Sequence, residues 1–140
     1  MKSNPDHSKK IAQILKFQVN EKKEYRQISI PYESGRLFIQ LRELIRCEAY
    51  GRCTWFYLTG NRKLLSSQNL GQYEELLAGE DTASLFSFFR IHHSHLINLD
   101  FIHKLNLREY SVELIDDSCL GIAHRRRRPF IALLKQLKML

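Results

Sequence analysis

From Gln27 onward the apolar residues of this chain recur at alternate positions, in short runs that turn residues interrupt. A punctuated period of two builds antiparallel strands. Ile28 and Ile30 alternate with polar neighbours, Glu33-Ser34-Gly35 supplies turn chemistry, and Leu37 to Gln40 forms a second run, so a hairpin is expected. Leu44-Ile45 leads into a strand at Arg46 to Ala49. Tyr50-Gly51-Arg52-Cys53 reads as a turn whose tip is Gly51 and Arg52. Thr54-Trp55-Phe56-Tyr57-Leu58 is rich in aromatic and β-branched strand formers, and Gly60-Asn61 turns the chain into Lys63 to Ser66. Later strands are expected at Ser87 to His92, Ile102 to Leu107, Val112 to Ile115 and Cys119 to Ala123, with Asp116-Asp117 as a tight turn.

Three stretches carry the helical period instead. Leu70, Tyr73, Leu76 and Leu77 share one face, with Ser66 or Ser67 as cap and Gly79 as terminator. Phe130, Leu133, Leu134 and Leu137 form a second face, with Pro129 placed in its first turn. Ile11, Ile14, Leu15 and Gln18, capped by Ser8, form a third, short one. The fold class is therefore mostly β: small β-sheets packed together with one internal and one C-terminal helix. Residues 1–26 read as a basic N-terminal arm or linker, and residues 27–140 as the domain.

At 140 residues the chain is one domain's worth. No run approaches the roughly 20 apolar residues of a membrane span. MKSNPDHSKK lacks the apolar core of a signal peptide, so membrane and secretion are not expected. Cys47, Cys53 and Cys119 are odd in number and form no CxxC pair, which makes the cytoplasm the default compartment. The net charge of +7 favours polyanionic partners. It is concentrated at the ends, +4 over residues 1–26 and +4 over residues 89–140, around a middle of −1.

Two constellations could carry chemistry. Arg125, Arg126, Arg127 and Arg128 follow His124 at the junction of the last strand and last helix. Cations at a helix start oppose its dipole, so stability alone would favour Asp or Ser there. A phosphate, by contrast, would meet both side chains and free backbone N–H groups. The bland reading is a solvated basic turn. The second constellation is His92, His93 and His95. Extended neighbours point to opposite faces, and no partner stands at zinc-finger spacing, so no metal or cofactor is expected. The neutral reading is one buried histidine and two exposed ones.

Arg90-Ile91-His92-His93-Ser94-His95-Leu96-Ile97-Asn98 resembles the signature segment of LytTR-type DNA-binding domains, an R-x-H-x-S-x-hydrophobic-hydrophobic-N pattern. Ile45 to Thr54 resembles the family's strand–loop–strand, and the Leu76-Leu77 helix, Ile102 strand, Asp117 turn and basic close follow in order. The resemblance covers roughly Gln27 to Leu137. It implies a non-enzymatic, response-regulator-like module whose loops, not a recognition helix, enter successive grooves of double-stranded DNA. Carried over by position, the loops are Gly51 to Thr54, His92 to Ser94, and His124 to Arg126. His93 stands where Arg, Lys or Asn is commoner, and His124 where Ser is common. His92 and Asn98 would support the second loop.

The expected function is sequence-specific transcription regulation. Arg52, His93 and Arg125 are the candidates for base edges, since Arg and His can donate to guanine O6 or N7. Thr54, Arg90, Ser94, His124, Arg126 and Arg127 are the candidates for the DNA backbone. A homodimer on repeated half-sites is left open, and no small-molecule substrate is expected. Family members carry a phospho-receiver or membrane segment. This sequence has only its short arm, as a stand-alone regulator or an isolated fragment would. The rivals are a metal-dependent nuclease using His92, His93 or His95, and an RNA- or protein-interaction domain. Trp55-Phe56-Tyr57 bears on the latter, with at least half of that set expected in the core.

Overall fold

A computed structural model describes residues 26–78 and 88–140. The helix expected around Ile11, the terminator Gly79 and the strand start at Ser87 lie outside the described residues. Alternation produces strands where it was expected. β1 (Gln27–Tyr32) pairs with β2 (Gly35–Gln40) through the Glu33-Ser34 turn. β3 (Leu44–Tyr50), β4 (Cys53–Leu58) and β5 (Arg62–Ser66) form an antiparallel meander. After helix α1 (Leu70–Ala78) come β6 (Phe88–His92), β7 (His95–Asn98), β8 (Ile102–Asn106), β9 (Ser111–Leu114), β10 (Cys119–Gly121) and helix α2 (His124–Gln136). The five-stranded sheet has the order β5-β4-β3-β7-β6, and β10-β9-β8 makes a third sheet.

Both faces of the central sheet are used. Cys47, Phe56, Leu58 and Leu96 pack under the β1–β2 hairpin and α1, against Ile28, Ile30, Ile39, Tyr73 and Leu77. Ile45, Ile91 and Ile97 face the other way, against Val112, Leu114, Ile122, Phe130 and Leu134. Leu96 and Ile97 are thus neighbours in sequence but lie in different cores, as pleating requires. A bulge between Leu44 and Arg46 resets the alternation, so that Leu44 and Cys47 share the first core while Ile45 enters the second.

Several sequence expectations need correction. β7 was not expected; its three consecutive buried residues, Leu96, Ile97 and Asn98, show no alternation because both of its faces are covered. The cap of α1 is Asn69, not Ser66 or Ser67. Its Oδ1 accepts from the Gln72 N–H at 2.9 Å while Gln72 Oε1 accepts from the Asn69 N–H at 3.0 Å. Ser66 is instead buried against the Tyr73 hydroxyl. Leu76 points outward, 48% exposed, because the buried stripe follows Leu70, Tyr73 and Leu77. Helix α2 starts at His124, so Pro129 lies in its second turn and costs the Arg125 carbonyl its donor. Leu137 falls beyond that helix and is 39% exposed.

Candidate nucleic-acid interface

Antiparallel pairing sends two turns to one end of the central sheet, and the turn that opens α2 joins them. The β3–β4 turn is Gly51-Arg52, closed by the pair Tyr50 and Cys53. Gly51 has φ +59°, a left-handed conformation that glycine adopts without Cβ strain. The β6–β7 turn is His93-Ser94, closed by the pair His92 and His95. The two are tied together, because the Ala49 N–H donates to the Ser94 carbonyl at 2.9 Å. The third is the start of α2. There the Ala123 N–H donates to the Ile91 carbonyl at 2.8 Å, which seats the helix beside β6.

Arg52, His93, His124, Arg125 and Arg128 are exposed at this end. Among the described residues Arg52 and Arg125 have no ion-pair partner. Ser94 is half-buried; its N–H donates to His92 Nδ1 at 3.1 Å, so His92 holds the turn from inside. The rings of His92 and His93 lie 4.5 Å apart, and those of His92 and His95 5.5 Å apart. Among the described residues no group of three His, Cys, Asp or Glu side chains is placed to hold a metal ion.

Other candidate residues face inward. Thr54 is fully buried and its hydroxyl donates to the Gln68 carbonyl at 2.8 Å, so it fastens β4 to the start of α1 and cannot touch DNA. Arg90 is spent inside the protein. One guanidinium nitrogen donates to Glu74 Oε1 at 2.8 Å, another to the His93 carbonyl, and Nε is buried. Asn98 is fully buried at the far end of β7, bonded to the Leu44 carbonyl at 2.9 Å and to the Asp100 N–H at 3.0 Å. It fixes a turn, but not the His93 turn. Arg126 donates to the Arg90 carbonyl at 3.0 Å. Arg127 donates to the Ile122 carbonyl at 3.1 Å and stacks 4.2 Å over the Tyr110 ring. Both remain partly exposed.

Glu74 and Arg46 are the site-shaping residues that sequence reasoning missed. Arg46, only 11% exposed at its side chain, bridges Glu48 at 3.0 Å and Asp116 at 3.1 Å and lies 3.7 Å over the Tyr57 ring. Burial raises the Asp116 carboxyl, but hydrogen bonds from Ser118 and then Arg46 bring it below the ordinary range. Glu48 follows the same course, burial being outweighed by Arg46 and Tyr57. Across the strand pair, burial pushes the His95 imidazole down, against the opposing pull of Glu48. Phe56 is core, whereas Trp55 and Tyr57 lie half-buried on the opposite face beneath Lys63, 4.2 Å over Trp55.

Comparison with known proteins follows the same lines. The family model of the LytTr DNA-binding domain matches residues 34–135. No curated protein matches the chain. Among solved structures, the chain is similar to the LytTr DNA-binding domain from a Bacillus cereus protein described as a methyl-accepting/DNA response regulator. The TM-score is 0.61 at 17% identity, covering 77% of this chain and 95% of that one. With the three turns gathered at one end of a mostly β fold, and with the family model spanning both cores, the chain belongs to the LytTr DNA-binding domain family.

Proposed function

We propose that this protein is a transcription regulator that reads double-stranded DNA with the three turns at the end of its central sheet. The observation that carries the reading is the convergence there of Arg52, His93 and Arg125, all exposed. Two turns that pair along one sheet and a helix start seated beside them offer separate fingers to successive grooves of a duplex. Arg126 and Arg127 are each pinned to a backbone carbonyl, which leaves other guanidinium nitrogens pre-aimed at phosphates. His124 and the Ser94 hydroxyl complete the backbone contacts. The function is non-enzymatic and cytoplasmic, and two copies occupy repeated half-sites. No helix among the described residues is long and apolar enough to cross a membrane.

Selection from a random duplex pool tests this. The protein should enrich one sequence and retard it more strongly than a single strand or structured RNA of equal length. Log affinity should fall against log salt with a slope of about −5 to −7, for roughly 5–8 phosphates. Metal-stimulated cleavage that His92→Ala abolishes would favour the nuclease instead, and no enrichment would remove sequence-specific reading.

A further inference from the structure

A carboxylate beside a surface that receives phosphates opposes binding, so its presence there needs a reason. Glu74 of α1 is such a group. Its Oε1 accepts from Arg90 Nη1 at 2.8 Å, and its Oε2 lies 3.8 Å from Arg126 Nη1. The two arginines carry the contact onward. Arg90 Nη2 donates to the carbonyl of His93, the tip of the β6–β7 turn. Arg126 Nη1 donates to the Arg90 carbonyl, which ties the first turn of α2 to β6. One carboxylate therefore stands at the origin of both a turn and a helix start.

Resting on the reading of these turns as the DNA surface, we propose that Glu74 is a positioning residue for sequence recognition: it fixes the spacing between His93 and Arg125 by clamping Arg90 and Arg126. The clamp matters most for specific binding, which depends on the spacing. Non-specific binding follows the count of phosphate contacts, of which Arg126 is one among several, and there the Glu74 charge mainly opposes binding. The two effects have opposite signs, which makes them separable. Without the carboxylate, Arg90 and Arg126 repel one another and the two loops lose their common anchor.

The test uses the full chain with the selected duplex and a scrambled duplex of equal length. Glu74→Ala should weaken the selected duplex by about tenfold, the worth of one charge-assisted hydrogen bond, while binding the scrambled duplex equally or more tightly. Glu74→Gln keeps an acceptor for Arg90 and should recover part of that ratio. In the free protein, Glu74→Ala should shift the backbone amide resonances of His93, Ser94 and Arg126. Equal gains on both duplexes would reduce Glu74 to a repulsive charge and overturn the proposal, as would amides that stay in place. Arg52→Ala, remote from the clamp, reports on the DNA surface independently. If that variant binds both duplexes as the wild type does, the reading of the turns fails, while the amide shifts still judge the clamp. Should Glu74→Ala not fold, the Glu74→Gln ratio and amide shifts decide alone.

Discussion

The tip of the β3–β4 hairpin and the first turn of α2 both bring arginine to the same end of the molecule, yet they are built on opposite plans. At the tip the backbone does the fastening. Gly51 takes the left-handed conformation, Tyr50 pairs with Cys53, and the buried Thr54 hydroxyl anchors the strand below. Among the described residues Arg52 has no ion-pair partner. At the helix start the arginines themselves are the fasteners, because the N-cap is Ala123 and makes no side-chain cap. Arg126 and Arg127 grip carbonyls, while Arg125 and Arg128 point out. The same residue type thus projects or braces according to whether a carbonyl stands behind it.

Removing a projecting arginine should have the largest effect on recognition. Arg125→Ala and Arg52→Ala should each weaken the selected duplex by about 1–3 kcal/mol and relax preference at one base position. Melting temperature should hardly move, since both side chains are exposed. Arg126→Ala is the contrasting case. It should weaken all duplexes, make the salt slope shallower by up to about 1, and lower the melting temperature as well. If it behaved as Arg125→Ala does, the division between readers and braces would collapse.

Thr54→Val probes the tip from beneath. It removes a buried donor and strands the Gln68 carbonyl, at a cost of about 1–2 kcal/mol in denaturant unfolding. No loss would show that the tip does not depend on that anchor.

His93 is exposed at its turn, so His93→Gln should alter preference at one base position and leave the melting temperature unchanged. Acid should weaken the fold. His95 is pushed down by burial, so its contribution is present above about pH 6.5 and is lost as pH falls toward its folded value. Asp116 and Glu48 sit below the ordinary carboxylate range despite burial, so theirs is present above about pH 4 and lost below it. A melting temperature that is flat from pH 7 to 3 would contradict this assignment.

The smallest effect is expected at Gly51. A Cβ there meets no atom within 4 Å, so Gly51→Ala should cost only the backbone strain of φ +59°, about 1 kcal/mol of stability. A larger loss would mean that the tip is packed and not merely turned.

The hairpin tip was legible because Gly51 and the alternation on either side act over a few residues. The fates of the arginines were not, although a signal existed. Arg126 precedes Phe130 by four residues and Leu134 by eight, which puts it on the buried stripe of a helix. Placing Pro129 in the first turn hid that stripe by starting the helix too late. β7 escaped notice for a different reason. Its pairing with β3 depends on contacts some fifty residues away that no local pattern encodes. Glu74 leaves no local mark of its role, since its partners come from β6 and α2.

Pro129 divides α2 between two sets of anchors. Ahead of it Arg126 and Arg127 hold the helix start to the carbonyls of Arg90 and Ile122, and beyond it Phe130 and Leu134 hold the helix to the core. The proline withdraws one helical donor between the two, so they can adjust to one another without breaking a hydrogen bond. The placement of Arg125 is therefore set from the side of β6 and not from the core.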